Sequence, residues 1–165
     1  MNKVSIKDFD LNNGEGIRVS LWVSGCSHHC YKCQNSMYWN KDCGSKFTFK
    51  DLNTITTLLE KDISKDFSVL GGEPLDTYNI NKVIEICKTV KNKYPNKNIW
   101  IWTGYLFENI INKDILKYID VLIDGKYEDS KHNDLLMWKG SSNQRVIDVK
   151  KSLKNNKIIL YKEEF

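Results

Sequence analysis

The segment Ile17-Arg-Val-Ser-Leu-Trp-Val23 is followed by Ser24-Gly25 and then by Cys26-Ser-His-His-Cys30-Tyr-Lys-Cys33. The run Ile17–Val23 alternates at first and is then mostly apolar, which predicts a strand. This strand leads directly into a loop that carries three cysteines. Three thiols on one short loop suit a metal site that keeps a coordination position open, as catalytic metal sites do. An iron–sulfur cubane with one free iron has this requirement, because thiolates are its usual ligands. The segment therefore favours a cluster with an open iron.

Two other interpretations of the cysteines remain open. Intervals of four and three residues fall on one face of a helix, so the thiols could form a buried stripe. A structural zinc site is the stronger alternative, because Cys30-Tyr-Lys-Cys33 has zinc-type spacing and Cys43, His28 or His29 could supply the fourth ligand. The second Cys-x-x-Cys pair that would favour zinc strongly is missing from the sequence.

Length and composition fit one globular domain in a reducing compartment. The 165 residues, 41% of them hydrophobic, are enough for one well-formed core. No apolar run approaches the roughly 20 residues of a membrane span, and the first residues lack the apolar core of a secretion signal. The odd number of cysteines, five, fits a metal site better than a disulfide framework. We expect a cytoplasmic protein with no membrane partner.

The positive net charge of +4 comes almost entirely from lysine, because Arg18 and Arg145 are the only arginines. Base readout relies on arginine forks and clustered basic patches. Direct binding of nucleic acid is therefore not expected. The one concentrated run, Lys150-Lys-Ser-Leu-Lys-Asn-Asn-Lys157, is predicted to be a polar connector.

Predicted strands and helices alternate along the chain. Strands are expected over Val4–Phe9, Ile17–Val23, Phe67–Leu70, Ile99–Trp102 and Val121–Ile123. Helices are expected after Thr48, from Ile80 to Val90 with an end at Tyr94-Pro95, and from Ile110 to Tyr118. The alternation predicts right-handed βαβ units and a parallel sheet.

The predicted fold class is α/β with an open, partial β/α barrel and a mostly parallel sheet. A complete eight-fold barrel typically needs about 250 residues, more than this chain has. Residues 1–149 are expected to form one domain. Residues 150–165 are expected to be a lysine-rich extension, either an added edge strand or a tail.

Four unusual loops follow predicted strands, and the carboxyl ends of parallel strands are where such folds build active sites. The loops are Cys26–Cys33, Gly71–Pro74, Thr103-Gly104 and Asp124–Lys126. In the second loop, Gly71 and Gly72 would let a ligand approach the backbone. Glu73 offers an acceptor for an ammonium group, and Pro74 fixes the path out of the loop.

The Cys-x3-Cys-x2-Cys loop and the Gly-Gly-Glu-Pro segment together resemble the radical S-adenosylmethionine enzymes. In that family the three cysteines hold a [4Fe–4S] cluster, whose free iron binds the amino and carboxylate groups of S-adenosylmethionine. One-electron cleavage of the cofactor then yields a 5′-deoxyadenosyl radical. The resemblance implies that Cys26, Cys30 and Cys33 are the cluster ligands and that Gly71, Gly72, Glu73 and Pro74 orient the cofactor.

Further segments resemble the activating proteins of anaerobic (class III) ribonucleoside-triphosphate reductases. They are Val23-Ser-Gly-Cys26, Trp102-Thr-Gly-Tyr105, Asp120-Val-Leu-Ile-Asp-Gly125 and Gly140-Ser-Ser-Asn-Gln-Arg145. This resemblance implies an oxidoreductase that generates a glycyl radical on the large reductase subunit, with a low-potential electron donor such as flavodoxin. The alternatives are an activase of another glycyl-radical enzyme and a non-enzymatic zinc module that uses Cys43 as a fourth ligand.

The same resemblance implies further cofactor contacts by Lys32, Thr103, Asp124 and Lys126. Lys32 stands before the third cysteine, where many family members have an aromatic residue. Asp124 and Lys126 match an Asp-x-Lys pattern whose lysine can pair with the methionyl carboxylate. An ordinary surface lysine at Lys126 and a capping role for Asp124 remain open.

Several remaining residues carry structural expectations. Asn143-Gln144-Arg145 belongs either to a structural network or to a reductase-docking surface. His28 and His29 are expected to be exposed and solvated. Cys43 is expected to have no cluster role, and Cys87 to be a small buried hydrophobe on a helix.

Overall fold

The computed structural model describes residues 1–162. Within this range, seven strands form one open sheet in the order β3-β1-β2-β4-β5-β6-β7. The strands are β1 (Asn2–Asp10), β2 (Ile17–Val23), β3 (Ser45–Lys46), β4 (Lys65–Gly71), β5 (Ile99–Trp102), β6 (Val121–Asp124) and β7 (Arg145–Asp148). The α-helices are α1 (Phe49–Lys61), α2 (Ile80–Lys93) and α3 (Val149–Asn155). Short 3₁₀ helices occur at Ser36–Tyr38, Phe107–Asn109, Lys113–Lys117 and Asp129–Lys131.

The centre of the sheet is parallel and its edges are antiparallel. Strands β2, β4, β5 and β6 pair in parallel, whereas β1 pairs antiparallel with β2 and β3, and β7 with β6. The register of β2 on β4 runs from Ile17 opposite Lys65 to Val23 opposite Gly71. It therefore brings the start of the cysteine loop beside the Gly-Gly segment. The predicted α/β class with an open, mostly parallel sheet is confirmed.

The main hydrophobic core lies between the sheet and helices α1 and α2. Alternate residues of the central strands point into it, as the period of two in a strand requires. Helix α2 contributes Ile80, Val83, Cys87 and Val90, each at most 3% exposed, which confirms its predicted apolar face and the buried position of Cys87. Helix α1 begins where predicted, because the backbone N–H and hydroxyl of Thr48 both donate to a carboxylate oxygen three residues later.

Two predictions about this part of the secondary structure need correction. The short helix predicted around residues 110–118 is present only over Lys113–Lys117 and is a 3₁₀ helix. The side chain of Asn112 caps its start by accepting the N–H of Asp114. The lysine-rich run was predicted to be a connector, but most of it forms α3. This helix is capped by Asp148, whose side chain accepts the N–H of Lys151.

Residues after α3 return to the edge of the sheet. The N–H of Asp148 donates to the carbonyl of Ile159 at 2.9 Å, and the N–H of Tyr161 donates to the carbonyl of Val146 at 2.9 Å. The last three residues of the expected C-terminal extension, 163–165, lie outside the described residues. No helix in residues 1–162 has the length and apolar character needed to cross a membrane.

Candidate iron–sulfur site

The four loops singled out in the sequence meet at one cleft of about 380 Å³ at the carboxyl ends of β2, β4, β5 and β6. Each loop contributes residues to its wall. The predicted site residues that line it are Cys26, Cys30, Cys33, Gly71, Gly72, Glu73 and Thr103. Pro74, Lys32, Asp124 and Lys126 do not belong to the lining. The convergence agrees with the rule that parallel sheets place sites beyond strand carboxyl ends.

A larger cavity of about 650 Å³ lies against β7 and residues 160–162. Tryptophan, arginine and aliphatic side chains form much of its described wall, and no thiol is among them. Because a thiol-ligated metal is the chemistry that the sequence indicates, the cleft at the strand ends is the candidate site.

The cysteine loop, residues 24–35, is shaped by tight turns. The N–H of Cys33 donates to the carbonyl of Cys30 at 3.1 Å, and His29 and Lys32 adopt positive φ angles of 48° and 54°. The N–H of Cys26 donates to the carbonyl of Trp39 at 3.1 Å, which ties the first thiol to the segment after the loop. All three loop cysteines are free thiols of intermediate exposure.

The three thiols fit a cluster as a donor set. They belong to one loop, they line one cleft, and none is in a disulfide. In residues 1–162, no group of three His, Cys, Asp or Glu side chains converges on a point that a single metal ion could occupy. In a cubane each thiolate ligates a different iron, so its ligands need not converge on a single point.

The first two thiols of the loop, Cys26 and Cys30, hold their protons strongly before metal binds. Burial raises the pKa of the Cys26 thiol to about 11, and the nearby Glu73 adds to the shift. Burial also raises the pKa of Cys30, although the backbone N–H of Tyr127 and the charge of Lys126 oppose it. Because metals bind thiolates, the loading of this site must release protons.

The two glycines after β4 allow close backbone contact between two loops. A Cβ on Gly72 would lie 2.4 Å from the carbonyl oxygen of Gly25, and a Cβ on Gly71, whose φ is +117°, would lie 2.5 Å from that of Val23. The N–H of Gly72 donates to the Val23 carbonyl at 2.8 Å, and the N–H of Glu73 donates to the Gly25 carbonyl at 2.7 Å. The space left by the missing side chains is therefore filled by the loop that carries the cysteines.

The Glu73 carboxylate is buried and fully engaged. Its side chain is 1% exposed. It accepts from Leu75 N at 2.8 Å, Thr103 Oγ1 at 2.8 Å and Gly104 N at 2.7 Å, and Nε2 of His28 lies 2.9 Å from it. An ionised carboxylate has about four acceptor positions. An incoming ammonium would therefore have to displace one of these four donors.

His28 is not the solvated residue expected from the sequence, whereas His29 is exposed as expected. The His28 side chain is only 7% exposed, and its ring contacts that of Tyr105 with centroids 4.5 Å apart. The missing side chain of Gly104 makes room for it, since a Cβ there would lie 2.4 Å from the imidazole. The expectation failed because the covering residues come from other strand ends.

Asp76 is a further buried carboxylate at this edge that the sequence did not single out. It accepts from the N–H and the hydroxyl of Ser27 at 2.8 and 3.0 Å, and from the hydroxyls of Tyr78 and Tyr105 at 2.7 and 2.9 Å. Burial alone would raise the pKa of Asp76, but these hydrogen bonds hold it below its usual value. Its place three residues after Glu73 was the one available signal.

Two of the remaining predicted cofactor residues, Asp124 and Lys32, are engaged elsewhere. Asp124 is buried; Arg145 donates to it, and it accepts the N–H of Phe107 at 2.8 Å. Lys32 is exposed and pairs with Asp129 at 3.0 Å.

Asn143-Gln144-Arg145 forms a structural network. Oε1 of Gln144 accepts the N–H of Gly140 at 2.9 Å, and its Nε2 donates to the carbonyl of Gly125 at 2.9 Å. Nδ2 of Asn143 donates to the carbonyl of Lys126 at 2.8 Å. These contacts close the segment between β6 and β7 on itself and fix its position over the cleft. They favour the structural interpretation of the two that the sequence left open.

The sequence that forms this cleft is clearly similar to sequences of known proteins. Residues 12–147 match the family model of the 4Fe-4S single cluster domain. The chain is 41% identical over 146 residues, 88% of its length and 93% of the relative's, to the anaerobic ribonucleoside-triphosphate reductase-activating protein of Enterobacteria phage T4. The proteins of that name from Pasteurella multocida and Escherichia coli K12 are 39% and 35% identical, over 88% of this chain and 96% and 97% of theirs.

The match over residues 12–147, which contain the cysteine loop and the cleft at the strand ends, places the chain in the class of 4Fe-4S single cluster domains. Within that class, the chain belongs to the family of anaerobic ribonucleoside-triphosphate reductase-activating proteins, because its similarity to them spans nearly their whole length. The family resemblance inferred from the sequence is confirmed.

Proposed function

We propose that this protein is a radical S-adenosylmethionine activase that generates a glycyl radical on the large subunit of an anaerobic ribonucleoside-triphosphate reductase. The observation that carries the proposal is the meeting of three free thiols with the Gly71-Gly72 backbone in one cleft. The activity in the names of its relatives supports it.

In this proposal the chain supplies ligands, orientation and cover. Cys26, Cys30 and Cys33 would hold the cluster, leaving one iron open. When bound, the cluster and S-adenosylmethionine supply a 5′-deoxyadenosyl radical, which removes the α-hydrogen of a glycine. The protein's own work is to release the thiol protons as metal binds and to shield the cleft with the segment that Gln144 fixes over it.

We further propose that Gly71, Gly72, Glu73 and Pro74 orient S-adenosylmethionine. The backbone of the two glycines is the part of this segment that we expect to face the methionyl ammonium, because the Glu73 carboxylate already has four partners. Thr103 lines the same cleft.

Of the three charged residues predicted to contact the cofactor, two would first have to leave an ion pair within the protein. The positive charge of Lys126 opposes the rise in the pKa of Cys30. Lys32 and Asp124 would have to leave Asp129 and Arg145 to reach the cofactor.

The remaining parts of the proposal concern the frame and the partners. An open sheet with α1 and α2 on one face and the cleft on the other supports a partial β/α barrel of the radical S-adenosylmethionine type over residues 1–149. Residues 150–165 would be an extension; the pairing of residues 159–161 with β7 supports an added edge segment. A flavodoxin-type electron donor and a cytoplasmic location complete the proposal.

The test is electron paramagnetic resonance of the anaerobically reconstituted full chain. The expected result is a reduced [4Fe–4S]⁺ signal that shifts on addition of S-adenosylmethionine, followed by a glycyl radical once the large reductase subunit is added. Cys30→Ala removes a ligand and should lower radical yield by at least about a hundredfold. Cys43→Ala, a free cysteine outside the cleft lining, is the matched control and should leave the yield within about twofold.

Three outcomes would contradict the proposal. Full activity of Cys30→Ala would show that Cys30 is not a cluster ligand and would contradict the assignment of the three thiols. Stoichiometric zinc in place of iron, with Cys43→Ala losing the metal, would support the zinc module. A glycyl radical that forms only on a different glycyl-radical enzyme would keep the chemistry and replace the partner.

A further inference from the structure

The loop after β4 carries two buried carboxylates three residues apart, Glu73 and Asp76, which are 0% and 4% exposed. We propose that they form a lock that fixes Ser27 and His28, the residues directly after the first thiol, and thereby positions the thiols for metal. The inference rests on the proposed function for the identity of the group that the thiols hold. In this lock both acids are positioning residues.

The Asp76 half of the lock acts on the backbone of the cysteine loop. The backbone N–H and the hydroxyl of Ser27 donate to its two different oxygens, at 2.8 and 3.0 Å. Ser27 directly follows Cys26, so this pair fixes the direction in which the chain leaves the first thiol. The hydroxyls of Tyr78 and Tyr105 complete the acceptor positions of the carboxylate and prevent it from rotating away.

The Glu73 half acts through the side chain of His28. The 2.9 Å contact between Nε2 of His28 and an ionised Glu73 requires a hydrogen on Nε2. The imidazole also makes an edge contact with the ring of Tyr105. His28 lies between the first and second thiols in the chain, so its fixed ring limits the paths that the backbone can take between them.

Both halves extend to the loop after β5. Glu73 accepts from the Thr103 hydroxyl and the Gly104 N–H, and Asp76 accepts from the Tyr105 hydroxyl. Residues 24–35 contain neither strand nor helix, so the shape of the cysteine loop depends on contacts of this kind. The lock thereby couples three loops that line the cleft.

The direct test is amide hydrogen exchange at Ser27 in the metal-free full chain. Asp76→Asn keeps the size of the side chain but replaces one acceptor oxygen with a donor. Hydrogen bonds to charged groups are strong enough that exchange at Ser27 should become about tenfold faster or more. The control is Asp120→Asn. Asp120 is also a buried carboxylate with several donors, but it lies at the amino end of β6, whereas the cleft is at the carboxyl ends of the strands. It should leave exchange at Ser27 within about twofold.

The second test measures release of iron to a chelator from the reconstituted protein. Asp76→Asn should release iron several-fold faster than the wild type at a temperature where both are folded. Ser27→Ala, which removes only the hydroxyl contact, should fall between them and serves if Asp76→Asn does not fold. Asp120→Asn should lower the melting temperature without faster release from folded protein.

Unchanged exchange at Ser27 in Asp76→Asn, or equal acceleration by Asp120→Asn, would overturn the lock. Iron release at the wild-type rate in both Asp76→Asn and Ser27→Ala would overturn its role in positioning the thiols. These failures are distinct from failure of the proposed function, which would appear as a wild-type protein without a cluster or without radical formation. The exchange measurement uses the metal-free protein, so its result does not depend on whether the proposed function is correct.

Discussion

The two faces of the central sheet contrast in composition although they are made by the same strands. On the face covered by α1 and α2, the inward side chains are apolar and fully buried; they include Val19, Leu21, Phe67, Val69, Ile99 and Ile101. On the opposite face, polar and aromatic residues accompany aliphatic ones. The polar and aromatic residues include Arg18, Ser20, Trp22, Ser68, Trp100 and Trp102, and the aliphatic ones include Leu70, Val121 and Ile123. The cleft opens on this second face, where Trp22 and Trp102 line it.

The buried end of the second face shows how a sheet tolerates charge. Arg18 is 1% exposed and lies over the ring of Trp100, 5.3 Å from its centroid. The guanidinium donates to the Ser68 hydroxyl and to the carbonyls of Glu15, Phe67 and Asn98. Burial lowers its pKa to about 10, against the opposing charge of Asp66, so it stays charged at neutral pH. The comparison teaches that the helix-covered face gives stability through burial of apolar side chains, whereas the second face also buries a cation, which it tolerates because hydrogen bonds satisfy the guanidinium.

The largest change in stability is expected when the buried cation of the second face is removed. Arg18→Met removes the guanidinium donor from the Ser68 hydroxyl and from the carbonyls of Glu15, Phe67 and Asn98, of which the contact to Phe67 is fully buried. The free energy of unfolding should therefore fall by about 2–3 kcal/mol. Ile101→Val on the helix-covered face is the reference and should cost about 0.5–1.5 kcal/mol. Urea unfolding of the metal-free chain measures both. A cost for Arg18→Met no larger than that of Ile101→Val would mean that desolvation of the cation cancels its hydrogen bonds.

A smaller effect is expected at the rim of the cleft face. Gly72→Ala places a Cβ 2.4 Å from the Gly25 carbonyl, so the two loops must separate, at a cost of about 1–3 kcal/mol. Gly16→Ala is the matched control: its Cβ would meet nothing within 4 Å, although its φ is +74°, and the strain is about 1 kcal/mol. Only Gly72→Ala should also lower the iron content after reconstitution. Equal iron loss in both variants would show that the close contact between the two loops does not determine how much iron the site binds.

The smallest effect concerns the turn that leads from β1 onto the cleft face. Asp10 accepts the N–H groups of Asn12 and Asn13 at 3.0 and 3.2 Å. Burial alone would raise its pKa, but hydrogen bonds lower the pKa below the usual value. A lowered pKa in the folded state means that stability is present above the unfolded pKa and is lost as the pH falls through the folded one. Asp10→Asn should therefore cost about 1 kcal/mol at pH 7.

Unfolding of the wild type and Asp10→Asn at several pH values checks this prediction. The difference in unfolding free energy should be constant at neutral pH and shrink in acid, below the usual range of a carboxyl group. A difference that grows as the pH falls would show that the sign is wrong.

Sequence reasoning succeeded where the signal was local. The β2 strand and its cysteine loop, the apolar face of α2 and the placement of four special loops after strands could each be read within short windows. It failed for residues 110–118, where Ile110, Ile111, Ile115 and Leu116 favour a longer helix than the one that forms, and for α3, where most residues are polar. The 3₁₀ helix and α3 are set by the side-chain caps of Asn112 and Asp148 together with the sheet they flank.

The sequence by itself determined the family, the three thiols and the loops that meet at the cleft, because spacing along one segment and the geometry of parallel strands are enough for these. Only the tertiary structure decided the environment of those loops. The contact of His28 with Glu73 spans 45 positions, and that of Ser27 with Asp76 spans 49. Hydrogen bonds between residues so far apart depend on how strands β2, β4 and β5 come together, and no local pattern encodes that arrangement.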